Sequence, residues 1–331
     1  MTFRRPLWDC TCIALLSVSL ACNDDPAALE PNPRSWKKDS ANPVLSHGPE
    51  GSWDALGVST PFVLRVGDGF WMWYSGRGAS RTQIGVATST DGMAWTKHPS
   101  NPILAPGLAG TWDAHGVEDP CVLFDGARYT MYYAGAGDSS GGIGVAMSPD
   151  GIQWTRSGGD PVLTPSPSGT AWDDERVDAP WVVQTSGHYE MWYGGRGDLI
   201  AIGYATSIDA VEWSKLLLPV LHPQVLEALS FAPCVVKEGA SVRMWYGALH
   251  ESPGGDVFPG VIDNAQSSDG VEWSAHHTVL SPGAPGAWDA HHLRSARVLD
   301  VNGTLTMWYE GEGAPGGTTQ STTAIGRATL E

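Results

Sequence analysis

Between Trp112 and Trp154 the chain alternates short apolar runs with small and polar punctuation. Val117 to Phe124, Tyr129 to Tyr133 and Ile143 to Met147 are the runs, and Asp150-Gly151 precedes a closing Trp154. Runs of this length, rich in β-branched and aromatic residues and bounded by Gly, Asp and Ser, predict four short strands joined by tight turns. No stretch in the repeating part of the chain shows the 3.6-residue apolar period of an amphipathic helix.

The same pattern recurs along the chain. Trp36, Trp95, Trp154, Trp213 and Trp273 are spaced by 59, 59, 59 and 60 residues. A Met-aromatic-Tyr signal occurs five times, centred on Trp73, Tyr132, Trp192, Trp245 and Trp308. Ile-Gly opens the following strand at Ile84, Ile143, Ile202 and Ile325, with Ile262-Asp263 in the fourth repeat. A Trp-Asp pair precedes four of the five repeats, at Trp53, Trp112, Trp172 and Trp288.

Five four-stranded units at this period predict an all-β, five-bladed β-propeller over residues 36–331. The Trp-Asp repeat propellers are a different case, because their period is about 40–45 residues. The fifth repeat stops at its third strand, whereas an unpaired copy of the outer-strand pattern, Trp36 to Leu45, stands at the start. The N-terminal strand is therefore expected to complete the last blade and leave no open sheet edge.

Ahead of the repeats, Arg4 and Arg5 precede a short apolar run that ends at Leu20-Ala21-Cys22. This reads as an export signal over residues 1–22, too short to span a bilayer as a mature helix. The junction resembles a bacterial lipoprotein processing site. The expectation is export with a lipid anchor on Cys22, the chain's one link to a membrane; simple secretion is the alternative. Residues 23–35, with Pro26, Pro31 and Pro33, read as a flexible tether.

The formal charge is −17, with only 17% charged residues and 16 Trp among 331 residues. So aromatic and sparsely charged a chain is globular rather than disordered. Its acidity disfavours nucleic-acid partners, whose phosphates it repels, and carbohydrate suits the aromatic content. Beyond the leader, Cys121 and Cys234 read as buried free thiols. No metal-ligating motif is present, so no cofactor is expected, although a channel cation remains open.

Residues found in every repeat belong to the scaffold, so chemistry should lie where the repeats differ. Pro61, Pro120, Pro180 and Pro233 occupy one position of the first strand, with Ala296 in the fifth repeat. Two residues earlier the repeats carry Ser59, Glu118, Asp178, Phe231 and Arg294, and one residue earlier Thr60, Asp119, Ala179, Ala232 and Ser295. In a propeller these strand starts converge on one mouth of the central channel. Carboxyls gathered there can serve as the acid and base of glycosidic-bond cleavage, since mutual crowding raises a carboxyl pKa.

On these residues the chain resembles the five-bladed propeller glycosidases, of the arabinanase/β-xylosidase-type family 43 and the invertase/levanase-type family 32. The resemblance implies that Asp119 tunes pKa and Asp178 is the general acid. Thr60 stands where those families carry a catalytic Asp, so Glu118, or Asp54 from the preceding loop, is the candidate base. Arg294, Trp181, His115, His291 and His292 are candidate substrate contacts, and Trp181 is the candidate stacking platform. The expectation is an exported glycoside hydrolase-like protein acting on oligo- or polysaccharides. A non-catalytic carbohydrate-binding propeller and a glycoside phosphorylase, with Arg294, Arg297 and His292 around phosphate, are the alternatives.

Overall fold

The computed structural model describes residues 35–137, 141–169, 171–222, 227–251, 258–314 and 321–331. The export signal, Cys22 and all of the tether but Ser35 lie outside the described residues. No helix occurs among the described residues.

After β1 (Trp36–Lys38) the strands fall into fours. Blade 1 comprises β2 (Gly57–Val66), β3 (Gly69–Arg77), β4 (Thr82–Ser89) and β5 (Thr96–Lys97). Blade 2 is β6 (Gly116–Phe124), β7 (Tyr129–Ala136), β8 (Gly142–Ser148) and β9 (Thr155–Arg156). Blade 3 is β10 (Arg176–Gln184), β11 (Tyr189–Arg196), β12 (Ile200–Ser207) and β13 (Ser214–Lys215). Blade 4 is β14 (Glu227–Glu238), β15 (Ser241–His250), β16 (Val261–Ser267) and β17 (Ser274–Leu280). Blade 5 has β18 (His292–Val301), β19 (Thr304–Gly313) and β20 (Thr322–Leu330), and takes β1 as its outer strand.

That last pairing closes the ring. Trp36 pairs with Leu330 and Lys38 with Ala328, antiparallel. A bridge from Leu45 to Ile325 extends the outer strand, as Leu104–Ile84, Leu163–Ile143 and Leu221–Ile202 do in blades 1 to 3. Blade 5 also touches blade 1 directly, through a parallel pair between Gly57 and Thr323.

The repeated residues hold blade to blade. Each blade is covered on both faces by neighbours, so its central strands are buried on both sides and read as continuous apolar runs. The aromatic of Met-aromatic-Tyr reaches the turn of the next blade. Trp73 Nε1 donates to the Gly151 carbonyl at 2.9 Å, Trp192 to Gly270 at 2.8 Å and Trp308 to Gly92 at 2.9 Å. Tyr132 makes the same reach to Ala210 with its hydroxyl, at 3.3 Å. Ala210 stands where the other turns have Gly, and takes the left-handed φ of 68° that they take.

The Trp-Asp pair is scaffold as well. Asp113 and Asp173 are almost fully buried. Asp113 accepts from Tyr133 at 3.2 Å and from Arg156 on the outer strand at 2.7 Å; Asp173 accepts from Tyr193 and Lys215 at 3.0 and 2.7 Å. Asp54, a candidate base by sequence, is buried in the same role and ion-paired with Lys97. The Trp of the pair also explains the Ile-Gly signal, since a Cβ on Gly144 would stand 2.4 Å from the Trp112 ring. Blade 4 lacks that Trp, and there Asp263 replaces the glycine and bonds His250 at 2.8 Å.

Candidate functional site

The inner strands β2, β6, β10, β14 and β18 each carry a bulge at the same place. In β6, Glu118 pairs with Ala134 and Cys121 with Tyr132, so two residues oppose one. The residue ahead of each proline takes a left-handed conformation: φ is 45° at Thr60, 56° at Asp119, 44° at Ala179 and 52° at Ala232. Such a backbone costs about 1–3 kcal/mol per residue, and its concentration at one mouth marks a built site. The bulge turns the residue before the proline and the one preceding it into the mouth. All ten residues at those two positions line a cavity of about 370 Å³.

One wall is acidic. Arg176, at the start of β10, donates from Nε to Asp178 Oδ2 at 2.7 Å and from Nη2 to Glu118 Oε1. Asp119 sits beside this clamp. Its Oδ2 accepts the Ala179 N–H at 3.1 Å, and among the described residues no cation bonds it directly. Burial, then the neighbouring charges of Glu118 and Asp178, push the Asp119 carboxyl well above the usual range against the pull of Arg176. Burial also raises Asp178, opposed chiefly by Arg176. Arg196 lies on the rim of the same wall.

The opposite wall comes from blade 5. Arg294 bonds Glu312 Oε2 from Nε at 3.1 Å, and its Nε lies 3.9 Å from Glu310 Oε1. Although burial pushes Glu312 up, its bond to Arg294 prevails and holds it below the usual carboxylate range. Glu310 is 5% exposed and raised by burial, with Arg294 opposing.

Similarity to known proteins fits this geometry. Residues 79–158 match the family model of the β-1,4-mannooligosaccharide phosphorylases, glycoside hydrolase family 130. Uncharacterized protein MT1551 of Mycobacterium tuberculosis (strain CDC 1551) is 31% identical over 321 residues, covering 90% of this chain and 99% of that protein. The chain belongs to the family of that mycobacterial protein. A 1,2-β-oligomannan phosphorylase of Thermoanaerobacter sp. (strain X514) is 24% identical over 57% of this chain and 62% of its own length. Two solved structures share the fold. A glycosyl hydrolase from Bacteroides ovatus has a TM-score of 0.67 at 15% identity, over 90% of this chain and 94% of its own. A family 130 structure, described with glycoside hydrolases that target β-1,2 mannosidic linkages in Candida mannan, has a TM-score of 0.68 at 15% identity and the same coverage.

The likeness to family 130 thus covers residues 79–158, while the propeller fold is shared along most of the chain. Family 130 is distinct from families 43 and 32, which the motifs resemble; the resemblance extends to the fold and the carbohydrate-active class. Within this fold Glu118, Asp119, Asp178 and Arg294 meet in one cavity.

The other candidates do not reach it. Trp181 is buried below the floor, its ring tilted against Phe62 with centroids 5.3 Å apart and lying 4.7 Å from the Arg297 guanidinium, so it offers no face to a ligand. Arg297 points into the same core and bonds the Val63 carbonyl, which removes it from any phosphate site at the mouth. His115 and His291 are exposed on their loops, away from the lining. His292 accepts from the Gly260 N–H at 2.9 Å; burial and then Arg294 lower its pKa. Cys121 and Cys234 are free and buried. Among the described residues no cluster of three or more His, Cys, Asp or Glu could hold a metal ion.

Two functional residues escape the motif reading. Arg176 lies outside the Pro-anchored positions. Glu310 follows Met307-Trp308-Tyr309, where the other repeats carry Ser75, Ala134, Gly194 and Gly247. Comparing unlike residues on the second strand would have found it.

Proposed function

We propose that the protein hydrolyses β-linked manno-oligosaccharides at this mouth. The observation that carries the reading is the Arg176 clamp with Asp119 beside it. Asp119 is buried and crowded by two carboxylates, with no cation bonding it directly among the described residues, which favours its protonated form, the form that can deliver a proton to a glycosidic oxygen. Asp178, tied to Arg176, serves as a neighbouring charge rather than as the acid. The sugar class follows from the names of the family model and the oligomannan relative.

Those names also favour a second reading, phosphorolysis. Against it, two of the three lining guanidiniums are engaged, Arg176 by Glu118 and Asp178 and Arg294 by Glu312, so a phosphate dianion that does not displace carboxylates is left with Arg196 on the rim. The test is incubation of purified protein with β-1,2- and β-1,4-linked manno-oligosaccharides, with and without inorganic phosphate. Phosphate-independent release of mannose, lost in Asp119→Asn, supports hydrolysis. Mannose 1-phosphate formed only with phosphate supports the second reading. Binding without turnover would leave a recognition role. We also propose export with a lipid on Cys22; Cys22→Ser should then shift the protein from the membrane to the soluble fraction of its cell.

A further inference from the structure

We infer that Glu310, from the second strand of blade 5, is the carboxylate that activates water in this site. The inference rests on the hydrolytic reading and adds the group that reading lacks, since Thr60 has no carboxylate to offer.

Glu118 and Asp178 are poorly suited to the task. Arg176 binds an oxygen of each, which holds both in place and occupies the oxygens a water would need. Glu310 stands apart from that clamp. Its Oε2 accepts the Thr60 N–H at 3.3 Å and the Ser295 hydroxyl at 3.1 Å. Its Oε1 lies 3.9 Å from Arg294 Nε, and Arg294 bonds Glu312 instead. Glu310 lines the same cavity as Asp119.

The two carboxyls are also fixed relative to each other. Thr60, which bonds Glu310 through its N–H, bonds Ser75 Oγ through Oγ1 at 2.6 Å, and Ser75 Oγ accepts the Asp119 N–H at 3.0 Å. This chain of hydrogen bonds runs from blade 5 across blade 1 to blade 2. It gives Thr60 a role of its own, because the Thr60 N–H holds in place a carboxylate that another blade supplies. Burial raises both carboxyls; at Asp119 the charges of Glu118 and Asp178 come ahead of the pull of Arg176, whereas at Glu310 Arg294 and the bonds from Thr60 and Ser295 come ahead of the Glu312 charge, so the two environments differ. The inference places the proton on Asp119, where two carboxylates crowd it, and the charge on Glu310, where a guanidinium and two hydrogen bonds favour it.

In the step that follows, a water oxygen bonds to the anomeric carbon and gives a proton to Glu310. The bond from that carbon to the glycosidic oxygen breaks, and the leaving oxygen takes the proton from Asp119. Both carboxyls return to their starting states by exchange with solvent.

The test uses the full chain with the manno-oligosaccharide that wild type cleaves without phosphate. Glu310→Ala and Glu310→Gln should lower kcat about 10²–10⁴-fold with KM little changed. Azide or formate, small enough to enter the space vacated in Glu310→Ala, should restore about tenfold or more of the lost rate. A purely structural role would not respond to these anions. Retention of kcat within about threefold, or a loss that neither anion rescues, would overturn the assignment while wild-type hydrolysis still stood. A wild type that releases product only with phosphate would overturn the hydrolytic reading and this inference together.

Discussion

Replacing Arg176 by Met removes a guanidinium while keeping most of the side chain's volume. Arg176 makes two charged contacts, to Asp178 at 2.7 Å and to Glu118. Fully buried pairs cost about 3–5 kcal/mol to break and exposed ones about 0–1. Here the side chains are 34%, 31% and 30% exposed, so solvent screens them in part. About 1–2 kcal/mol per pair is then reasonable, or roughly 2–4 kcal/mol together. The loss should depend on pH. Arg176 pulls Asp119 and Asp178 down against burial, so without it both folded-state pKa values rise further. Its contribution is present where these carboxyls are ionised and is lost as pH falls through their folded values. Urea unfolding at pH 8 and pH 4.5 measures this, with the larger deficit expected at pH 8. Equal deficits at the two pH values, or one below about 0.5 kcal/mol at pH 8, would refute the clamp. In the same variant the basic limb of the pH–rate profile should move upward, because the acid Asp119 holds its proton longer.

Asp119→Asn should abolish turnover, by about 10²–10⁴-fold, yet stabilise the fold at neutral pH. The native carboxyl is raised, so the unfolded chain releases that proton first and stability falls as pH rises above the ordinary Asp value of about 3.9; Asn removes that slope, readable from unfolding curves across pH. Tyr132→Trp should stabilise the seam between blades 2 and 3. Tyr132, Thr130, Val145 and Tyr189 there line a cavity of about 260 Å³, and other seams carry an indole. Filling about 35 Å³ of it at about 24 cal/mol per Å³ gives at most roughly 0.8 kcal/mol, measured as a higher urea midpoint. Trp36→Ala should cost roughly 2–3 kcal/mol, because Trp36 is half-buried edge-on to Trp245 at 6.4 Å and anchors the closing strand.

The propeller was legible because it rests on residues that repeat. Each blade must solve the same packing problem, so Trp, Met-aromatic-Tyr and Ile-Gly recur at a fixed period, and the unpaired outer strand at Trp36 implies closure. The mouth was partly legible by the opposite logic. Glu118, Asp178 and Arg294 differ at one shared position, and the fold gathers them. Of the two readings of Trp181, sugar platform or core packing, the structure shows the second, because the bulge at Ala179 shifts the register and turns the residue after Pro180 into the core. The histidines were misread because loop conformation sets their reach, and a repeat register does not encode it. Arg176 was legible as an interblade-loop residue near the mouth but not as a clamp, because that role comes from partners 2 and 58 residues away.

The blades divide the work unequally, and that bears on the choice between water and phosphate. Blades 2 and 3 supply the carboxyl-rich wall and blade 5 the Arg–Glu wall, while blade 4 contributes Phe231 and Ala232 and blade 1 contributes hydroxyls. The carboxyls lining the cavity, Glu118, Asp119, Asp178 and Glu310, outnumber its guanidiniums, Arg176, Arg196 and Arg294. With Asp119 protonated, three carboxylates and three guanidiniums cancel, so a phosphate dianion entering this space would lose hydration with no net attraction to offset it, unless both clamped arginines exchanged their carboxylates for it. Water carries no such penalty and needs only an acceptor for its proton. A cavity whose charges already cancel one another therefore suits the proposed hydrolysis better than capture of an anion. The same argument explains why Arg176 must stay paired: freed from Glu118 and Asp178, it would become the anion site that the present arrangement withholds.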